Sequence, residues 1–403
     1  MIIKFKAVFV TVVLSLVLPA AGTFAQQDSK PHAFPPGTLA QDSGIAWLPT
    51  IFDGKISDAV RWVGLGEFTH GGEETALFKS GMVRYLILDR GFRQLLVEYP
   101  DVMLLPLNDY LQSSGPDNPD SVRILARKIF GTTVLAAKPF FDLLVWIRSY
   151  NVNHQSDRVN LKGIDVEGAS TAFADYFMYK YLLPLDHSVA LKMLSEWSEG
   201  PKDSITAAEL DWAGKNRERI VQYAGESGSE GLWYDIAAAR NELIHSPLKR
   251  QNVYRASVFR DSVMAENVLS FRTGKSIIWA HNMHLTTADY VFSLGNYLRP
   301  AVGKEYFCLL SDFSGEARVW TISGKDNRLQ KQEFVADKRS FASKIRRKND
   351  LKEGIVFFDS LRAGSQPGFN NIDYSGGQTV IPGRGRPFDA LAIFPHVEPF
   401  VFD

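Results

Sequence analysis

Residues 61–74 read Arg-Trp-Val-Gly-Leu-Gly-Glu-Phe-Thr-His-Gly-Gly-Glu-Glu, an apolar run that stops abruptly at Glu67 and His70 and passes into a helical pattern. Phe78, Met82 and Tyr85 then fall at i, i+4 and i+7 on one face, so Glu73–Asp89 is predicted as a helix, with Gly91 ending it. Strand, polar turn and crossover helix make the opening of a parallel α/β unit. The same grammar recurs along the chain. Gln94–Val97 precedes Glu98, Asn160–Ile164 precedes Asp165, and Ser276–Ala280 precedes His281 and His284. Tyr306–Leu310 precedes Asp312, Gly354–Phe358 precedes Asp359, and Ala390–Phe394 precedes His396. Such short runs rich in Val, Ile and Leu suit parallel strands covered on both faces. The expected fold class is therefore α/β, a mostly parallel sheet flanked by helices. Residues 172–271 break the pattern with long helical stretches, such as Ala207–Tyr223 and Tyr254–Phe271, and no convincing strand. This interval is expected to be a helical insertion covering the C-terminal ends of the strands, with Trp212 and Trp233 in its core.

The N-terminus carries Lys4 and Lys6 ahead of the apolar run Ala7–Leu18 and small residues at Thr23 and Ala25. That is the pattern of an export signal cleaved after Ala25, the alternative being an uncleaved membrane anchor. The expected organisation is a signal peptide at 1–25, a Pro-containing lead-in at 26–55, and one catalytic domain over 56–403 that includes the insertion. A periplasmic or secreted bacterial protein follows from the leader, with no stable membrane insertion after cleavage. Of the 403 residues 45% are hydrophobic and 22% charged, which excludes a disordered chain. Lys and Arg total 45 and so do Asp and Glu, so no net field draws nucleic acid or anionic membrane. The single cysteine, Cys308, rules out an intrachain disulfide and a thiolate metal cluster. The basic run Lys344, Arg346, Arg347 and Lys348 reads as a solvated helix face.

In open α/β sheets ligands bind beyond the carboxyl ends of the strands, where these polar residues lie. No G-x-S-x-G elbow and no phosphate loop occurs, and Thr69 replaces the third glycine of a dinucleotide fingerprint, so no cofactor is expected. His70 can act as a base with Glu67 as its orienting carboxylate, and the N–H groups of Gly71 and Gly72 are placed to receive a developing oxyanion. Glu73 and Glu74 can complement the dipole of the helix that starts there. His281, Asn282 and His284 form a second cluster at a strand end; ligation of zinc by His281, His284 and a carboxylate is an open alternative. Glu98 and Asp165 would project into the same crevice, as functional groups or as ion-pair partners of arginine.

These clusters, in order and separation, resemble the erythromycin esterase family. The likeness rests on Gly66-Glu67-Phe68-Thr69-His70-Gly71, Arg90–Arg93 with Val97-Glu98, Leu107–Tyr110, Trp146–Asn151 and Gly163–Asp165. It continues through Arg260-Asp261, Met264–Asn267 and Trp279–His284, covering about residues 60–315. The resemblance implies an α/β core with helical additions and a deep cleft. It implies His70 as general base for attack of water on an ester, with Glu67, His281 and His284 around it and no metal. On this basis the catalytic set is His70, Glu67, His281, His284 and Glu98, the two later histidines stabilising the tetrahedral intermediate. Glu74, Lys79, Asp165 and Asn282 are placed as substrate contacts. Three positions depart from the family pattern: Phe68 replaces a small residue, Glu73 stands where a second histidine is common, and Lys79 stands where an arginine is usual, keeping the charge but losing the planar fork. The expected partner is a small-molecule ester or lactone, and the family's name points to macrolides and antibiotic resistance. A non-catalytic ligand-binding protein using the same cleft, and a zinc hydrolase, remain the competing readings.

Overall fold

The computed structural model describes residues 31–35 and 45–402, apart from positions 132, 134, 198–201, 290, 324–327, 350–352, 362–364 and 374; the leader lies outside the described residues. Its strands are β1 (His32–Ala33), β2 (Trp62–Glu67), β3 (Gln94–Pro100), β4 (Asn160–Asp165), β5 (Ser276–His281) and β6 (Tyr306–Ile322). They continue with β7 (Leu329–Val335), β8 (Gly354–Phe357), β9 (Phe369–Ile372), β10 (Gln378–Ile381) and β11 (Ala390–Val397). The main sheet runs β1-β8-β11-β6-β2-β5-β3-β4, with β7 paired to the distal half of β6, while β9 and β10 form a separate hairpin. The six strands from β11 to β4 are mutually parallel. The fold is the expected α/β class with a mostly parallel sheet.

Side-chain alternation explains why the strands read as continuous apolar runs. Val63, Leu65, Leu95, Val97, Ile277 and Trp279 point to one face, into a core shared with the helices Glu73–Arg90, Asp101–Gln112, Pro119–Phe130 and Lys138–Asn153. Trp62, Leu96, Ile278 and Ala280 point to the other, against the helices Val253–Ser270, Leu294–Val302 and Phe341–Asn349. Both faces are buried, so neither parity of the strand is free to be polar. The helix Glu73–Arg90 closes on Gly91, whose φ of 73° allows its N–H to reach Leu86 O, a left-handed cap that favours glycine.

Three expectations are corrected. Gly354–Phe357 is a strand but runs antiparallel to β11, because β1 and β8 close the sheet edge. The first long helix of the insertion is two, Lys202–Lys215 and Arg217–Ala224, broken at Asn216. Tyr306–Leu310 is only the start of a 17-residue strand whose far half leaves the parallel sheet to pair with β7. The insertion itself is helical throughout its described residues and has its own core around Phe173, Phe177, Tyr181 and Trp212. It docks on the rim of the sheet: Tyr234 donates to Gly163 O at 2.6 Å and Asn267 to Ile164 O at 2.8 Å, both in β4.

Candidate active site

Four adjacent strands deliver a polar residue at their carboxyl ends: Glu67 on β2, His281 on β5, Glu98 on β3 and Asp165 on β4. Glu67 lies directly opposite His281, and Val97 opposite Trp279, so Glu98 emerges one step beyond. The approach to Glu67 is tight. A Cβ at Gly66 would lie 2.4 Å from Asn282 Oδ1, and Asn282 is itself held to β6, donating to Ser311 O at 2.7 Å. Asn282 is therefore fully buried and braces the strands; it does not line the cavity described below.

Glu67 is the hub of the first cluster. Its Oε1 accepts from His70 Nδ1 at 2.7 Å and its Oε2 from Lys79 Nζ at 2.8 Å. Burial alone would raise the Glu67 pKa, but the Lys79 and His70 charges outweigh it and the net direction is down. An ionised carboxylate can only accept, so His70 carries a proton on Nδ1, and in the neutral imidazole the lone pair lies on Nε2. No partner for Nε2 occurs among the described residues, and His70 lines a cavity. Lys79 is buried, with its ammonium 4.1 Å from the centre of the Trp279 ring. Burial draws its pKa down to about 8, against the pull of Glu67.

The second cluster ties the insertion to the sheet. Glu98 Oε1 accepts from His284 Nε2 and from Arg260, each at 3.0 Å, and its Oε2 accepts the His281 N–H at 2.9 Å. His284 Nδ1 lies 2.8 Å from Asp261, and Arg260 also donates to Asp165 through Nε at 2.8 Å. Burial would depress the His284 pKa, but the Asp261 and Glu98 carboxylates override it and hold it up at about 10. His284 is thus an imidazolium donating from both nitrogens. Burial works against Glu98 in the same way and is outweighed by His284, His70 and Arg260, which keep it well below the usual carboxylate range. Asp165 is likewise lowered by Arg260 against burial. Across both clusters the carboxylates Glu67, Glu98, Asp165 and Asp261, with Glu167 at 3.9 Å from Arg260, face the cations Lys79, Arg260 and His284.

Other residues singled out in the sequence are engaged differently from expectation. The ring of His281 packs against His70 with centroids 4.9 Å apart, but its Nε2 faces the carbonyls of Phe68 and Ile372 at 3.2 and 3.3 Å and its Nδ1 accepts from Met283 N. Burial, with the nearby His70 charge, pushes its pKa down to about 3, so it is a neutral histidine with both nitrogens committed to backbone. The Gly71–Glu74 turn contributes no residue to the cavity lining. Glu73 N–H donates to Glu398 O at 2.7 Å, Glu74 accepts from Glu398 N at 2.8 Å, and Glu73 accepts from Val401 N at 3.2 Å. The C-terminal segment thus takes the Glu73 N–H and Glu74 at the helix start, while the Gly71 N–H donates to Thr69 Oγ1 at 3.5 Å. Gly71 is required by its packing against β6, since a Cβ there would lie 2.3 Å from Trp320 O.

The cavity beside His70 has a volume of about 170 Å³ and is lined by Glu67, His70, Glu98, Tyr99, Thr133, Leu135, Trp279 and Ala280. Tyr99, Thr133, Leu135 and Trp279 were not singled out from the sequence as site residues; only Trp279, next to the His281 cluster, carried a local signal. Thr133 Oγ1 accepts from Leu135 N at 3.3 Å, and among the described residues its own O–H has no acceptor. Arg260 and Asp261 stood in a recognisable motif, yet only the folded chain brings them to Glu98 and His284. Among the described residues no group of three or more His, Cys, Asp or Glu side chains is arranged to hold a metal ion. None of their helices is long and apolar enough to cross a membrane.

A profile of the Erythromycin esterase family matches residues 87–334, more than half of the chain. The chain belongs to the erythromycin esterase family. The matched span holds Glu98, Asp165, Arg260, His281 and His284, and the fold joins to them Glu67, His70 and Lys79 from the preceding strand and helix. Solved structures with the same fold include a succinoglycan biosynthesis protein, 16% identical with a TM-score of 0.70 over 94% of this chain and 97% of that one. A Bacillus cereus protein is 19% identical, with a TM-score of 0.70 over 92% of this chain and 97% of that one. A mutant erythromycin esterase in its open conformation is 16% identical, with a TM-score of 0.63 over 92% and 98%. At these identities the likeness is one of fold. Membership in this esterase family supports a hydrolase-type function on a small-molecule substrate.

Proposed function

We propose that this protein hydrolyses a carboxylic ester or lactone, with His70 as the general base. The observation that carries the reading is the Glu67–His70 pair: a 2.7 Å hydrogen bond from Nδ1 to an ionised carboxylate makes Nε2 the basic atom of the neutral imidazole, on a residue that lines a cavity. Nε2 takes a proton from water as the water oxygen bonds to the carbonyl carbon. The resulting imidazolium is hydrogen-bonded to Glu67 and shares the cavity wall with Glu98, whose charges stabilise it, and it then protonates the leaving alkoxide as the C–O bond breaks. Acid and alcohol are the products, and no covalent enzyme intermediate is needed. The Thr133 hydroxyl is the donor we assign to the oxyanion, and His281 acts as a positioning residue that packs on His70. His284 and Arg260 keep Glu98 ionised.

His70→Ala should reduce hydrolysis of every substrate at least about 10²-fold while leaving the circular dichroism and melting temperature near those of the parent. A folded variant with full turnover removes His70 from the chemistry. We further propose export directed by residues 1–25, with macrolides as one substrate to be tried. Protein recovered from the periplasm should begin at Gln26, and retention of Met1 would refute the cleavage.

A further inference from the structure

The cavity wall carries information on the substrate that the family's name does not. Its volume, about 170 Å³, is close to that of a dry apolar cavity of about 150 Å³ that takes one benzene ring. Its wall is overwhelmingly apolar, built by Trp279, Ala280, Leu135 and the ring of Tyr99. The tyrosine turns its hydroxyl out of play by donating to Ile129 O at 3.0 Å. Both carboxylates that reach the cavity are already bonded, Glu67 to His70 and Lys79, and Glu98 to His284, Arg260 and the His281 N–H. No ammonium or guanidinium lines it, so an acidic substituent would meet two carboxylates whose cations, Lys79, Arg260 and His284, are already engaged by them. Among the described side chains of the lining, the groups left for a ligand are one acceptor, His70 Nε2, and the donors Thr133 O–H and the buried Trp279 indole N–H, which together suit a single ester group at the edge of an apolar compartment.

We propose that the substrate is an ester carrying an uncharged, apolar group of one-ring size on one side of the scissile bond, such as a benzoyl, benzyl or branched alkyl group, which occupies the compartment between Trp279, Leu135 and Tyr99. The inference rests on the hydrolytic reading of His70. A macrocyclic lactone exceeds this volume and would have to present its carbonyl from outside. Burying a ring rather than a methyl group in such a wall favours the larger ester by about tenfold or more in kcat/KM, and a two-ring group is excluded by size.

The test uses the purified full chain. Toluene, which has no ester, is titrated by ligand-observed NMR, and hydrolysis is followed for ethyl acetate, ethyl benzoate, benzyl acetate, ethyl 2-naphthoate and erythromycin. Expected are toluene binding that weakens at least about fivefold in Leu135→Trp, and a kcat/KM for ethyl benzoate or benzyl acetate about tenfold above both ethyl acetate and the naphthoate. Leu135→Phe replaces the tryptophan variant if the latter does not fold. Ester hydrolysis with no maximum at one-ring size, or turnover of erythromycin alone, overturns the proposal and leaves the hydrolase reading intact. If no ester is cleaved, toluene binding that Leu135→Trp weakens sustains the compartment and refutes the ester chemistry. Absence of both binding and cleavage refutes both.

Discussion

His284 offers the sharpest quantitative test, because its protonation links the insertion to the sheet. Its pKa rises from 6.5 to about 10 on folding: burial opposes the proton, and Asp261 and Glu98 more than compensate. A group raised in the folded state contributes stability that is fully present below its unfolded pKa and is lost as pH climbs through the folded one. The window is therefore pH 6.5 to about 10, with the loss running upward in pH. At 1.36 kcal/mol per pH unit that interval corresponds to on the order of 5 kcal/mol. This is a ceiling, since the same attraction also lowers Glu98, and a measured linkage of about 2–4 kcal/mol is expected once the shared term is counted once. His284→Gln keeps the volume and removes the proton, while Glu98 retains Arg260 and the His281 N–H and Asp261 retains the Leu294 N–H at 2.8 Å. Urea unfolding of both proteins at pH 6, 8 and 10 should show the variant least stable relative to the parent at pH 6, with the gap closing as pH rises. Lys79 titrates in both proteins and cancels. A gap that stays constant within about 0.5 kcal/mol from pH 6 to 10 would show that His284 is not the buried imidazolium described here.

Two further predictions follow from the same geometry. Glu67→Gln removes the charge that fixes the His70 tautomer and stabilises its protonated form, and should lower kcat about 10²–10⁴-fold in steady-state assays with KM little changed; a loss under about threefold would refute the role of Glu67. Gly66→Ala drives a Cβ to 2.4 Å from Asn282 Oδ1 and should cost about 1–3 kcal/mol by urea denaturation. In the double variant with Asn282→Ala the two costs should be clearly less than additive, and strict additivity would mean that the two residues do not meet.

Much of this arrangement was legible in the chain itself. Two-sided burial makes each parallel strand an apolar run, and the run must end in polar residues where it leaves the sheet, so Arg61–Leu65, Gln94–Val97, Asn160–Ile164 and Ser276–Ala280 could be read as strands before any neighbour was known. The rule that ligands gather at those ends then selected Glu67, His70, Glu98, Asp165, His281 and His284. What the sequence could not decide is which of these groups are spoken for. His70 and His281 look alike at their strand ends, yet the Ile372 carbonyl, 91 residues from His281, takes the second histidine's Nε2 and leaves the first one open. The C-terminal residues Glu398 and Val401 occupy the helix start beside Gly72, and a loop between two helices supplies Thr133 and Leu135 to the cavity. Burial periodicity is a property of neighbours along the chain, because a strand or helix repeats every two or 3.6 residues whatever surrounds it. The protonation state and the availability of a buried polar group depend on whichever donors and acceptors the fold brings within about 3 Å, and those are set by strand order and loop docking.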